Sequence, residues 1–581
     1  MRPHEIPAWQ EGSLPLLDNS EMENEIERLD MTVTAVEALV KRLPMGALAL
    51  GEMLASIDRG RDLVKSLLTV CRARTSLSVS EGSVMSLRSR VLRLSDRLEA
   101  LARPALEAVR RLPEDKKREE PFSIWLREAP TVPSAALTAV TEGMALPLRN
   151  LHSHLLSTMK LHITTPDGRL STMSYSQAFT VLKSADDLQL RRAVFSSFYA
   201  WIAEHGASFA DLINAMLGYR LFRLDEEHVD LSHCFLTGDR VSQSGFRAME
   251  TALEAALPRI RESVSLRARQ LGMSRMPVSS VLASAPGEGQ IDGVTGDIRD
   301  LILFIGESMQ PASVAFPHFL QEAIEKHWID MRRQSGRAGG GWCDNLPANQ
   351  AVAIFGNYQN NMAGLSNLAH TLGIGFLHRQ LHTASALEKR VPLSMIETVG
   401  MVCETLVERR LARVALGTPH TTPALWHSMR RLSNMLLVLP ARHRLSLDLM
   451  KARRESTLSV SKINALARNA WLHYFGETTD GCDQYLWAWK QHFYRTDVFF
   501  YDWQYVVGFL LSQPLARRFE KDGVTAAGAD FGGFCRDIPN LSMDELVRRH
   551  LEADLSDPAF WMQAVDEALK PLNEARQLIR H

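Results

Sequence analysis

The sequence lacks the features that mark several large classes of protein. Its 66 Lys and Arg residues almost balance its 67 Asp and Glu residues, so it has no net basic character of the kind that nucleic-acid-binding proteins usually carry. Its six cysteines are scattered with no close pair, which fits neither a disulfide framework nor a zinc ribbon. We therefore expect a cytoplasmic protein with no nucleic-acid partner.

Long apolar runs are also missing. The amino-terminal residues MRPHEIPAWQEGSLPLLDNSE contain no apolar core of the kind found in secretory signals. Residues 345–378 contain no Asp, Glu, Lys or Arg, but Asn, Gln, His and Gly recur through them, which argues against a membrane span. We expect this uncharged stretch to pass through the middle of a soluble fold, and we expect no membrane partner.

What is present is helical periodicity over most of the chain. Apolar residues recur at helical spacing in residues 21–112, 189–222 and 242–271, and helical texture resumes at about residue 361. Residues 160–175 predict two short strands joined by a turn at Pro166–Asp167–Gly168. The glycine-rich stretch Gly339–Gly340–Gly341 lacks a phosphate-loop ending and predicts a strand that another backbone approaches closely. The predicted fold is mainly α with a small β element.

The most informative segment is LAHTLGIGFLH, residues 368–378. A gluzincin peptidase needs His-Glu-x-x-His on one helix, because two histidines four residues apart bind zinc from one face and the Glu deprotonates the metal-bound water. Here His370 stands at the first position. Thr371 occupies the place of the general base, and Ile374 occupies the place of the second histidine.

Two segments carry a resemblance to a known family. NYQNNMAGLSNLAHTLGIGFLH (357–378) resembles the stretch of oligoendopeptidase F, a thimet-oligopeptidase-like zinc peptidase, that leads into LAHELGHAxH. PLSMIETVGMVCETLVERRL (392–411) is similar to the family's third-ligand helix. The resemblance implies that Glu397 is the third-ligand position and that Glu404 is its supporting acid.

Other segments extend the resemblance over roughly residues 8–575. It implies a two-lobed helical zincin-like fold enclosing a deep cleft, with a small β-sheet near the former active site. It divides the chain into an N-terminal helical region (1–120), an upstream helical lobe (121–275) and a degenerate catalytic-type domain (276–581). The segments 326–347 and 487–512 are similar to parts of the family that bind substrate. By that resemblance the ligand-binding residues are Gly340, Gly341, Trp342, His492, Tyr494, Tyr501 and Tyr505.

The departures from the family motif bear on activity. Thr371 has no pKa near neutrality and Ile374 has no lone pair, so a proton acceptor and a metal ligand are both missing. We therefore expect no zinc or other cofactor, and no ordinary zinc peptidase activity. His370 is then expected to be a neutral core histidine hydrogen-bonded to Glu397.

Three functional hypotheses follow. The leading one is a pseudopeptidase that binds a peptide or peptide-like ligand in an internal cleft and acts as an accessory, scaffold or modifier, with or without a protein partner. The second is an enzyme with new chemistry that does not use zinc. The third is a metallo-oligopeptidase with a rearranged metal site around His370, Glu397 and either His378 or His382, where His378 and His382 are an i, i+4 pair predicted on one helix face.

Overall fold

The computed structural model describes residues 7–10, 14–77, 82–128, 137, 140–165, 168–231, 234, 236, 238–288, 291, 294–332, 337, 340–356, 360–496, 498, 500–523 and 530–579. It is 71% helical with few strands, so the prediction of a mainly α fold with a small β element is confirmed. Among the described residues, no helix combines the length and apolar character needed to cross a bilayer.

The helices and strands follow one another along the whole chain. The α-helices are α1 (Asn19–Val40), α2 (Ala47–Leu77), α3 (Gly82–Arg110), α4 (Glu114–Lys117), α5 (Phe122–Glu128), α6 (Leu146–Ser157), α7 (Tyr175–Ser184), α8 (Leu188–Glu204), α9 (Gly206–Glu226), α10 (Gln243–Gln270), α11 (Ile298–Met309), α12 (Ala315–Glu325), α13 (Met362–Gln380), α14 (Leu393–Ala415), α15 (Thr421–Ser433), α16 (Leu439–Glu455), α17 (Val460–Phe475), α18 (Leu486–Trp489), α19 (Trp503–Asp522), α20 (Phe531–Asp537), α21 (Met543–Leu551), α22 (Pro558–Ala568) and α23 (Lys570–Ile579). The strands are β1 (Leu161–Thr164), β2 (Leu170–Met173), β3 (Ile329–Asp330), β4 (Gly341–Leu346) and β5 (Ala351–Gly356). Short 3-10 or π-helical turns cover Thr141–Ala145, Val278–Ser280, Pro347–Asn349, Asn434–Val438 and Gln491–Tyr494.

The chain divides into two compact units. The first unit comprises residues 1–132, 290–407 and 515–542. The second unit comprises residues 133–289, 408–514 and 543–581. Each unit is therefore built from three separate stretches of sequence, whereas the domains expected from the sequence are three consecutive stretches, and that division by domain stays a prediction.

The first unit contains a three-stranded sheet with the order β3-β5-β4. β5 is central and buried along its whole length, which its Val, Ile and Phe residues favour. β4 pairs with β5 antiparallel and forms one edge of the sheet, while β3 pairs with β5 parallel. Helix α13 packs on this sheet, and Gly375 lets it come close, because a Cβ there would lie 3.0 Å from side-chain atoms of Ile354 and Phe319.

The second unit contains the predicted pair of short strands. β1 and β2 pair antiparallel with Leu161 opposite Met173, so this prediction is confirmed. Of the predicted turn, Pro166 and Asp167 lie outside the described residues, and Gly168 adopts a left-handed φ of 81°. Helix α10 begins where the sequence predicts, because the Ser242 side chain accepts a hydrogen bond from the Gly245 backbone N–H.

Candidate functional site

The helix that carries the degenerate motif is α13 in the first unit. Its start is fixed by Asn361, whose side chain accepts a hydrogen bond from the Gly364 N–H at 2.8 Å. Gly373 lets α13 approach α14 closely, since a Cβ at that position would lie 2.6 Å from the Sγ of Cys403. The two helices therefore bring His370 against the acidic residues of α14.

His370 lies between two buried carboxylates of α14. Its Nδ1 donates to Glu404 Oε1 at 2.7 Å. Its Nε2 lies 3.2 Å from Glu397 Oε2, at ion-pair distance but without the alignment of a hydrogen bond. Glu397 and Glu404 are 3% and 8% exposed, so both carboxylates are largely removed from solvent and need a positive partner. The predicted grouping of His370, Glu397 and Glu404 is thus what this part of the structure shows.

These carboxylates determine the protonation of His370. Burial lowers the pKa of the imidazole, but the interactions with Glu397 and Glu404 outweigh that effect and raise the pKa to about 10. The ring is therefore an imidazolium at neutral pH. The expectation of a neutral histidine hydrogen-bonded to Glu397 is wrong, because the hydrogen bond goes to Glu404 and two neighbouring carboxylates favour the charged ring.

The two substituted motif positions contribute no catalytic group. The Thr371 hydroxyl donates to the Asn367 carbonyl at 2.7 Å, within its own helix. Ile374 lies one turn further on and is only partly buried. Its side chain offers carbon and hydrogen where the motif would have an imidazole.

The residues present do not fit a catalytic zinc ion. Such a site needs three protein ligands with free lone pairs. Ile374 has no lone pair, so His370 and Glu397 leave the set one ligand short. Within the described ranges, moreover, no group of three His, Cys, Asp or Glu side chains is arranged to hold a metal ion.

Gly400 is a residue of this site that the sequence analysis missed. A Cβ at this position would lie 2.6 Å from both Cε1 and Nδ1 of His370, closer than real Cβ contacts come. Gly400 lies one turn from Glu397 and one turn from Glu404, on the same face of α14. A glycine midway between two acids on one helix face was the signal that could have identified it.

The proposed replacement histidines are not paired on a helix. α13 ends at Gln380, and the His382 ring lies beyond it with its Nδ1 2.9 Å from the Arg379 carbonyl oxygen. His378 is on the helix, where burial lowers its pKa to about 4. The prediction of an i, i+4 pair on one helix face is wrong, because the helix stops before its second member.

The glycine-rich strand lies beside the degenerate motif. Gly340 has a left-handed φ of 82°, and Gly341 begins β4, where a Cβ would lie 3.2 Å from the Phe355 carbonyl and 3.7 Å from Thr371 Oγ1. Gly339 lies outside the described residues. The Trp342 side chain packs against Phe355 of β5, on which its ring stacks, and against α2, where its Nε1 donates to Ser76 Oγ at 3.1 Å.

Three of the predicted ligand residues from segment 487–512 gather in the second unit. The Tyr505 hydroxyl donates to the Tyr501 hydroxyl at 2.7 Å, and the His492 ring centre lies 5.1 Å from that of Tyr501. Burial, followed by nearby positive charges, holds the pKa of His492 far below its ordinary value, so its ring is neutral. Tyr494 is separate and fully buried, with its ring stacked on His152.

The local structure around these tyrosines differs from the expectation. The i, i+4 spacing of Tyr501 and Tyr505 predicts that they share one helix face, but α19 begins at Trp503 and Tyr501 lies in the preceding turn. Phe500 has a left-handed φ of 53° at that turn. The hydroxyl contact therefore arises from the turn and not from helical spacing.

Comparisons with known proteins show the fold. No model of a protein family matches the chain, and no curated protein matches it. Among solved structures, PZ peptidase A with an inhibitor is similar at 15% identity and a TM-score of 0.76, covering 94% of this chain and 97% of its own. Oligoendopeptidase F from Enterococcus faecium is similar at 13% identity and a TM-score of 0.68, covering 97% and 99%. The chain therefore has the fold of oligoendopeptidase F and related peptidases, as the resemblance implied.

Proposed function

We propose that this protein binds a peptide or peptide-like ligand and does not hydrolyse it through zinc. The observation that carries the proposal is the donor set around His370, whose two ring nitrogens face Glu404 and Glu397 while Ile374, one turn further along the helix, offers no lone pair. The site is therefore one ligand short of the three that a catalytic zinc ion needs. Because the general base is also replaced, by Thr371, the hydrolytic step loses a group that typically contributes roughly a hundredfold to ten-thousandfold in rate.

Peptide binding is supported by the edge of the first unit's sheet. β4 has β5 on one side only, and its first residue, Gly341, is exposed. An extended peptide can add to such an edge through main-chain hydrogen bonds. The far end of β4 is covered by α2, because the Thr69 hydroxyl donates to the Asn345 carbonyl. The proposed pairing therefore involves the Gly341 end of the strand.

A role as accessory, scaffold or modifier protein, with or without a protein partner, belongs to the same proposal.

A cytoplasmic location is also part of the proposal. All six cysteines are free thiols in the structure, and four of them are buried. Free thiols of this kind persist in reducing compartments.

The test is a titration with a bradykinin-like peptide that carries a fluorophore and a quencher. Calorimetry measures binding, and fluorescence on the same samples measures cleavage. We expect heat of binding without a rise in fluorescence. Cleavage that o-phenanthroline abolishes would contradict the proposal, and so would the absence of binding to a panel of such peptides.

A pair of variants tests whether the second unit carries a peptide-binding surface of its own. Tyr505→Phe removes the hydroxyl that donates to Tyr501, and we expect it to weaken peptide binding by roughly threefold to tenfold, the effect of about one hydrogen bond. Tyr474→Phe, a half-buried tyrosine of α17, is the matched control and should leave binding unchanged. Equal affinities for the two variants would exclude Tyr505 from the binding surface.

A further inference from the structure

A cavity of about 310 Å³ lies wholly within the second unit. Most of the side chains around it are apolar, and tryptophan and phenylalanine supply much of the wall. A cavity of this size, with apolar walls and a few polar groups, is typical of small-molecule sites. Its apolar lining includes Phe179, Leu182, Phe195, Val281, Leu439 and Trp471.

The charged groups at this cavity are unequal in number. Three cations line it, Lys183, Arg442 and Lys490, and one anion, Asp483. Asp502 is a second nearby anion and is already engaged in a buried ion pair with Arg442. Three positive groups against two negative ones leave an excess of one positive charge.

Lys490 is the cation that carries this excess. Among the described residues, no carboxylate oxygen lies within 4 Å of its ammonium group, which lies 5.5 Å from the centre of the Trp489 ring. Asp483, the carboxylate in the cavity lining, instead accepts hydrogen bonds from the Tyr199 hydroxyl and from Trp489 Nε1. In the part of the chain that the structure describes, the ammonium group of Lys490 therefore lines the cavity without an anionic partner.

The electrostatic surroundings agree with this geometry. Burial, followed by the positive charges of Arg442 and Lys183, lowers the pKa of Lys490 to about 7, although Asp502 and Asp483 oppose the shift. An anion placed in the cavity would relieve that repulsion. The Lys490 amine is thus only partly protonated at neutral pH, and an anion in the cavity would favour its charged form.

Two neutral polar atoms at the same cavity also lack partners. Within the described part of the chain, the buried Ser279 hydroxyl and Nδ1 of His492 make no hydrogen bond. Unpartnered buried polar groups are uncommon in folded proteins and call for a water molecule or a ligand. They add hydrogen-bonding capacity beside the unpaired cation.

We propose that this cavity binds a monoanion with an apolar body, a medium-chain or aromatic carboxylate whose charged end pairs with Lys490. One excess positive charge matches one negative charge, whereas a phosphate monoester carries about −1.5 to −2. The cavity holds the equivalent of about ten water molecules at roughly 30 Å³ each, which accommodates a short aliphatic chain or one aromatic ring. The cavity involves the second unit alone, and it includes His492 and Tyr505, which the resemblance assigns to ligand binding. Its test does not require that the protein bind a peptide, because the ligand measured is a free carboxylate.

The test compares ligands of equal length and different charge at neutral pH. Octanoate, 1-octanol and octylammonium are titrated into the full-length protein by calorimetry and by quenching of tryptophan fluorescence, to which Trp471 and Trp489 at the cavity contribute. We expect octanoate to bind at least about tenfold more tightly than 1-octanol, equivalent to one charge-assisted contact, and octylammonium not to bind. Equal binding of octanoate and 1-octanol, or no binding of octanoate, would overturn the proposal.

A matched pair of lysine variants tests the named residue. Lys490→Met keeps the length of the side chain and removes its charge, so octanoate should lose roughly tenfold in affinity while 1-octanol is unaffected. Lys462→Met, at an exposed position of α17, should change neither. Circular dichroism confirms that each variant is folded. Unchanged octanoate affinity in folded Lys490→Met protein would contradict the assignment.

One ligand chemistry can come from two sources, a free carboxylic acid or the C-terminal residue of a peptide. N-acetyl-Phe-Leu is therefore compared with its C-terminal amide. Tight binding of octanoate with no preference for the peptide acid indicates a free carboxylic acid as ligand. A roughly tenfold preference for the peptide acid over the amide, lost in Lys490→Met, indicates a peptide C-terminus.

Discussion

The imidazole of His370 fits against helix α14 because residue 400 has no side chain. A Cβ at Gly400 would lie 2.6 Å from two atoms of the ring. The ring cannot move aside easily, because Glu404 and Glu397 hold it on both nitrogens. Gly400 is therefore a steric requirement of the His370 arrangement.

Gly400→Ala is expected to destabilise the protein by about 1–3 kcal/mol, the usual cost of overpacking a filled interior. In a His370→Ala background the same substitution should cost much less, because the ring that it meets has gone. Thermal unfolding of the two single variants and the double variant measures this coupling. Gly143→Ala, where the added Cβ meets nothing within 4 Å, is the control. Equal costs of Gly400→Ala in both backgrounds would show that the His370 ring is not the obstacle.

His152 makes the stability of the second unit depend on pH. The residue is buried, its Nε2 donates to the Ala488 carbonyl at 2.8 Å, and burial lowers its pKa to about 4. Its unfolded pKa is about 6.5. Between these values the unfolded chain binds a proton that the folded chain does not, so stability is lost as the pH falls from about 6.5 to about 4.

The expected loss from this one group is about 1.4 kcal/mol per pH unit within that range. His152→Gln keeps a side-chain donor and cannot be protonated, so its unfolding midpoint should fall less steeply between pH 6.5 and 4.5 than that of the wild type. His154→Gln, at an exposed position of the same helix, should follow the wild-type slope. Identical slopes for the wild type and His152→Gln would refute the assignment.

Arg442 and Asp502 form a buried ion pair beside the cavity of the second unit. Asp502→Asn leaves the Arg442 charge uncompensated, which typically costs about 3–5 kcal/mol. The double substitution Arg442→Met with Asp502→Leu should cost less than the sum of the two single substitutions, because it leaves no unpaired charge.

The exposed pair Arg444–Asp448 serves as the control for this experiment. Its side chains are 52% and 22% exposed, so Asp448→Asn should cost at most about 0.5 kcal/mol. Thermal unfolding of Asp502→Asn, Arg442→Met, Asp502→Leu, the double variant and the control Asp448→Asn measures the difference. Additive effects at Arg442 and Asp502 would show that the two charges do not depend on each other.

The sequence was sufficient for the fold class and for one cluster. Helical periodicity identified the long helices, and the resemblance placed His370, Glu397 and Glu404 together, as the structure has them. These residues lie on two consecutive helices, and the sequence motif on each helix marks the positions that face each other. The hydrogen bond from His370 Nδ1 to Glu404 was not predictable from the sequence. It depends on how closely α13 and α14 pack, which Gly373 and Gly400 permit.

The cavity of the second unit was beyond sequence reasoning. Lys490 and Lys183 are more than 300 positions apart, and nothing in their neighbourhoods distinguishes them from the other lysines. Two local errors have simpler causes. His382 was placed on a helix that ends at Gln380, and Tyr501 on one that begins at Trp503, because helix ends are poorly marked in both segments.

The missing ligand at Ile374 and the missing base at Thr371 lead to a direct prediction about metal binding. Thr371→Glu with Ile374→His restores a general base and a third ligand on one helix face, and we expect this double variant to hold close to one zinc per chain. Thr371→Glu with Ile374→Ala restores the base without the ligand, and it should hold none. Weak peptidase activity is expected only in the first of these variants.

Zinc content is the measurement that tests the central claim most directly. Wild-type protein, purified without chelator and dialysed against zinc at equimolar concentration, is analysed by mass spectrometry of the metal beside the two double variants. The account predicts far less than one zinc per wild-type chain and close to one in Thr371→Glu/Ile374→His. One zinc per wild-type chain, lost in Glu397→Ala, would contradict it.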